Sequence, residues 1–138
     1  ERVQAGFFLQ YHALRNILFY DVHASDGIQS GHFHGYDIVP GKKPAPDIYL
    51  WVLQQLGLPA QHCIALEDSE NGLKAALAAG LDTLITVSDY TRGQDFSGAA
   101  LVLSDLGEPP QPFTVLAGNA HGREWVDAQM LAGLNDSL

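Results

Sequence analysis

The chain switches between two hydrophobic periods, and the switches mark out helices and strands. Asp47 to about Leu56 carries Ile48, Trp51, Val52 and Leu56 at helical spacing. Pro46 suits the first turn, Asp47 faces the positive helix end, Gly57 supplies a left-handed stop and Pro59 prevents continuation. Cys63 to Leu66 is an apolar run of β-forming and small residues that halts at Glu67-Asp68, which predicts a strand. Ser69 then opens a helix, with Leu73, Ala76 and Leu77 on one stripe, running to Ala79 and closed by Gly80. Thr83 to Val87 predicts the next strand, Ala100 to Leu103 a short one, Phe113 to Leu116 an edge strand, and Arg123 to Leu134 a closing amphipathic helix.

The front of the chain is less regular. Glu1 to Arg15 comes close to a helical stripe through Val3, Phe7, Phe8, Tyr11 and Leu14, interrupted by Gly6. Asn16 to His23 is β-rich and ends in polar residues, as a buried parallel strand does. Gly27 to Gly35 reads as loop and Tyr36 to Val39 as a short strand. Helices and strands alternating at this spacing imply an α/β fold with parallel pairing and right-handed crossovers.

Composition narrows the class. With 138 residues and 46% apolar positions, the chain suffices for one domain with a real core. Seven basic against sixteen acidic residues give a net charge of −9, which argues against nucleic acid or an anionic membrane as partner. The charge divides near Pro40: residues 1–43 balance, and the remainder carries the whole excess. Residues 1–38 therefore read as an atypical segment with one strand, and 39–138 as the main α/β unit. Cys63 is the one cysteine and sits in an apolar strand, so a reduced compartment such as the cytoplasm is expected and a nucleophilic role is not. No stretch approaches a membrane span or a signal peptide.

The chemistry concentrates at two places. Carboxyl ends of strands in open α/β sheets are where ligands sit, and two adjacent carboxylates there repel unless a cation relieves them. Glu67-Asp68 thus reads as a magnesium site, with Asp68 on the ion, Glu67 behind it and Ser69 capping the helix. Lys43, on a proline-bounded loop one helix earlier, supplies the cation opposite, and together they suit a phosphate ester. Each has a plainer alternative: the acidic pair as helix N-terminal electrostatics, Lys43 as a solvated lysine, Gly72 as close helix packing, Tyr49 and Trp51 as core. His32 and His34 alternate as two ligands on a strand would, but a solvated loop pair is the favoured reading.

"GKKPAPDIYLWVLQQLGLP" followed by "CIALEDSENGLKAALAAGL" resembles the third and fourth motifs of the haloacid dehalogenase superfamily, in its β-phosphoglucomutase-like, CbbY-type sugar-phosphatase branch. "TVSDYTRGQDFSGAALVLSDLGEP" also looks like that branch, so the resemblance runs from about Val39 to Leu138. It implies a Rossmann-like parallel sheet flanked by helices, bound Mg2+ and phosphoryl transfer through an aspartyl-phosphate on a small phosphorylated metabolite. Lys43 would orient phosphate and nucleophile, with Ser69 nearby, and Asp68 and Glu67 would hold the metal.

The departure lies at the front. The family's first motif is a strand ending in Asp-x-Asp, and that pattern occurs nowhere in the sequence; no cap domain is recognisable either. Asp21, ending the run from Ile17, is the nearest stand-in for the nucleophile, with His23 where the second aspartate belongs and Ser25 an imitation of the second motif. A core strand with a polar end is the favoured reading there. Two functions follow: a magnesium-dependent phosphatase or phosphomutase core, or an inactive remnant that binds or oligomerises through an open sheet edge. A phospho-receiver domain is disfavoured, because its lysine follows the carboxylates.

Overall fold

Period-two alternation builds the sheet and sorts its side chains between two helical layers. In this computed structural model, which describes residues 8–9, 16–19, 39–57 and 59–136, the strands are β1 (Phe8–Leu9), β2 (Asn16–Phe19), β3 (Cys63–Glu67), β4 (Asp82–Thr86), β5 (Leu101–Leu103) and β6 (Val115–Ala117). The helices are α1 (Asp47–Leu56), α2 (Glu70–Ala78) and α3 (Ala128–Asp136). The strands lie side by side in chain order. From β2 to β5 the pairings are parallel, and the flanking β1 and β6 run antiparallel. This is the expected α/β sheet with flanking helices.

The two faces of β3 show the sorting. Cys63 and Ala65 join a core with Ile48, Tyr49 and Val52 of α1 and with Ala75 and Ala76 of α2. Ile64 turns the other way, to Leu84, Leu101 and Leu103 and to Met130, Leu131 and Leu134 of α3. A third cluster joins Leu73 of α2 to Ile85 and Val102. Helices thus cover both faces, the arrangement that parallel strands need because neither face can meet water. The flank of β3 is closed by β2, in register Asn16↔Cys63 through Phe19↔Leu66.

α1 follows the expected bounds and ends at Gly57, whose φ of 66° only a residue without Cβ adopts readily. Expectation and structure part in three places. Phe8–Leu9 is a strand rather than part of a helix, because pairing with Ile17 and Leu18 satisfies its backbone groups along the edge. The edge strand starts at Val115 rather than Phe113: Phe113 is buried, and its N–H donates to Glu124 O (2.9 Å). The last helix starts at Ala128 rather than Arg123. Backbone bonds from Phe113 N–H to Glu124 O and from Val126 N–H to Leu106 O (2.7 Å) hold 124–126 against neighbouring loops, and the Asp127 carboxylate then accepts from Met130 N–H (2.7 Å) as a cap. The expected short strand at Tyr36–Val39 lies outside the described residues except for Val39, which is buried without strand pairing.

Leu84, fully buried at the centre of the sheet, gives a direct check on this packing. Leu84→Ala is expected to cost about 2–5 kcal/mol of unfolding free energy by chemical denaturation. A loss below about 1 kcal/mol would contradict a closely packed face between β4 and α3.

Candidate functional site

The site is built where β3 ends and α2 begins, with one side chain arriving from the loop ahead of α1. That loop is held by its own hydrogen bonds. Gly41 N–H donates to the Asp47 carboxylate (3.1 Å), Ala45 N–H to Lys42 O (2.8 Å), and the Lys42 ammonium to Val39 O (3.4 Å); the Lys43–Pro44 peptide is cis. Asp47 therefore serves the loop as well as the helix end. An added Cβ at Gly41 would stand 2.6 Å from the Asp47 carboxylate, so a side chain there would displace that carboxylate from the loop.

Out of this turn Lys43 reaches across to Glu67. Its ammonium donates to Glu67 Oε1 at 2.5 Å, with the two side chains 14% and 3% exposed, so the pair is withdrawn from bulk water. The buried Tyr49 hydroxyl donates to the same Oε1, and the Lys43 ammonium lies 5.6 Å from the centre of its ring. Glu67 shares the face of Cys63 and Ala65 on β3, the face covered by α1, which is why α1 can deliver a tyrosine to it. Asp68, one residue on, is exposed.

α2 starts at once. Ser69 is its N-cap, accepting from Gly72 N–H (3.1 Å), and Gln94 accepts from Glu70 N–H (2.8 Å). The third helical position of such a cap is often Glu or Gln, but here it is Gly72. A Cβ at that position would overlap Glu67 Oε2, so the carboxylate lies against the first turn of α2 in space that only glycine leaves open.

Burial lifts the Glu67 carboxyl above its ordinary value of 4.5, opposed by the Lys43 charge and by the hydrogen bonds from Lys43 and Tyr49; Asp68 adds to the rise. A further cation beside this pair would supply the positive charge that the carboxylates share too thinly. Glu67 and Asp68 are hard oxygen donors, one anchored and one open to solvent, and they fit magnesium, which takes one or two carboxylates and keeps its waters. Among the described residues, no group of three or more His, Cys, Asp or Glu gathers for a metal. Cys63 is buried and its thiol is pushed up to about 11, so it stays protonated.

Residues 20–80 match the model of the haloacid dehalogenase-like hydrolase family. The stretch is haloacid dehalogenase-like. The CbbY protein of Cupriavidus necator is 50% identical over 91 residues, covering 65% of this chain and 35% of that protein. The fructose-1-phosphate phosphatase YqaB of Escherichia coli is 42% identical over 48 residues, 35% of this chain and 26% of that protein. Among solved structures, CbbY from Rhodobacter sphaeroides in complex with phosphate is 46% identical, with a TM-score of 0.49 over 50% of this chain and 31% of that one. The chain spans about a third of the length of the curated relatives it matches first.

Of the residues singled out from sequence, the structure brings Lys43 and Glu67 into direct contact, with Asp68 and Ser69 next in the chain. Asp21, Ser25, His32 and His34 lie outside the described residues. Tyr49 is core as expected, yet its hydroxyl belongs to the site. A tyrosine on a buried helix face needs a partner for that hydroxyl, and this was the available signal.

Two predictions test the geometry. Gly→Ala inside a helix ordinarily stabilises by about 0.5–1 kcal/mol, but Gly72→Ala must push the Glu67 carboxylate off Lys43 and Tyr49. It is expected to destabilise by about 1–3 kcal/mol in thermal or denaturant unfolding; a gain in stability would show that the carboxylate moves freely. For Glu67, a raised pKa means that the folded state binds the proton more tightly than the unfolded chain. The stability it contributes is complete below 4.5 and is lost as the pH rises. In EDTA, the stability advantage of wild type over Glu67→Gln is therefore expected to shrink as the pH rises from 4.5. An advantage that grows over that range would contradict the burial argument.

Proposed function

We propose that this segment forms the metal-and-phosphate half of a haloacid dehalogenase-like hydrolase. It acts in magnesium-dependent phosphoryl transfer or hydrolysis on a small phosphorylated, sugar-phosphate-like metabolite. The observation that carries this is the Lys43–Glu67 pair at the carboxyl end of β3, with Asp68 exposed beside it. The family match over residues 20–80, and a relative that bears the name of a fructose-1-phosphate phosphatase, support the substrate class.

In this reading Asp68 holds the magnesium and Glu67 stands behind it. When bound, the ion offsets charge developing on the phosphoryl group. Lys43 is kept at the rim by Glu67, so its ammonium needs little reorganisation to meet a phosphate oxygen, and Ser69 keeps the first turn of α2 in place beneath it. Asp21 is the nearest stand-in in this sequence for the family's attacking aspartate, at the end of a run whose favoured reading is a core strand with a polar end. The net charge of −9 sets the chain against nucleic acid, and among the described residues no helix is long and apolar enough to cross a membrane. The buried free thiol of Cys63 suits the cytoplasm. A second reading, an inactive relative that binds or oligomerises, is favoured by the lack of Asp-x-Asp in the sequence.

Hydrolysis of an aryl phosphate separates the two. Magnesium-dependent turnover is expected, falling at least about 100-fold on Lys43→Ala and on Asp68→Ala. No turnover, with magnesium still raising the melting temperature of the wild type, would establish the inactive relative instead.

A further inference from the structure

Two donors meet on one oxygen of Glu67, and they are physically unlike. The ammonium of Lys43 is a point charge on a flexible four-carbon stem and can follow a carboxylate through many orientations. The hydroxyl of Tyr49 is fixed by a rigid ring inside the α1 core, fully buried among Ile48, Val52, Cys63 and Ala65. On the far side the carboxylate lies against Gly72, where a Cβ would overlap Oε2 and stand 3.1 Å from Cγ. Orientation therefore comes from the phenol and the glycine, whereas the lysine supplies charge.

We infer that Tyr49 is a positioning residue for the cation end of the site. Its hydroxyl fixes the rotation of the Glu67 carboxylate, keeping Oε1 on Lys43 and Oε2 against the first turn of α2, next to Asp68 in the chain. This rests on the metal-and-phosphate reading given above. Without the hydroxyl the carboxylate can rotate and carry the ammonium with it, so a divalent ion and a phosphate would meet groups no longer set in advance. The ring itself, its packing and its place beside the ammonium survive in phenylalanine, so the substitution removes the hydroxyl alone.

The test compares the unsubstituted chain, Tyr49→Phe and Val52→Ala, the last being buried on the same helix with no polar atom to offer the site. Magnesium alone is titrated by calorimetry, and unfolding is followed separately in EDTA. Tyr49→Phe is expected to weaken magnesium binding by roughly tenfold or more, the usual effect of losing a group that holds a metal ligand, whereas Val52→Ala lowers the melting temperature and leaves magnesium affinity unchanged. Equal affinity in Tyr49→Phe and wild type overturns the positioning role while leaving the metal-and-phosphate reading intact. So does an equal loss in Val52→Ala, which would mean general loosening. Wild type that binds no magnesium overturns the metal-and-phosphate reading, and this inference with it.

Discussion

A buried carboxylate with a shortage of positive charge is the constraint around which this structure is arranged. Glu67 is carried inward by the alternation of β3, to a face where water cannot solvate it. Burial of that kind is tolerated only with partners, and the chain supplies them from three directions: an ammonium from the loop before α1, a phenol from within α1, and an empty space at Gly72 of α2. Replacing such a cluster with apolar side chains would often stabilise a protein. Its position, at the strand end where ligands bind in open α/β sheets, is what points to function.

The parts around it follow. The turn at 41–45 is closed by backbone bonds and by Asp47, so Lys43 leaves from a defined place. Ser69 and Gln94 satisfy the first N–H groups of α2, which fixes the start of that helix directly after Asp68. Glu70 adds a further tie, pairing with Lys74 (2.5 Å) and accepting from Asp95 N–H (3.2 Å), so the loop after β4 is secured to the same helix end.

Much of this was legible in the residues. The spacing of apolar positions gave α1 within its bounds because Pro46 and Gly57 punctuate it, and the strand halting at Glu67-Asp68 placed the acidic pair correctly at the rim. Trp125 and Val126 fit a helical stripe and suggest too early a start for the closing helix, whereas backbone bonds to Leu106 and Phe113 hold that stretch in a loop. Such long-range pairing has no local signal. Gly72 and Tyr49 showed the same limit in another form. Each looked like ordinary packing until β3 brought Glu67 between them, since period and propensity describe a face of an element and not the atom that will face it.

In the proposed function, Lys43 and the Glu67-Asp68 end of β3 act jointly on a phosphate with magnesium. Calorimetric titration of inorganic phosphate into the chain, with and without magnesium, tests it most directly. Magnesium is expected to strengthen phosphate binding, and Lys43→Ala to remove most of the phosphate affinity while magnesium still binds. Phosphate binding indifferent to both magnesium and Lys43 would contradict it.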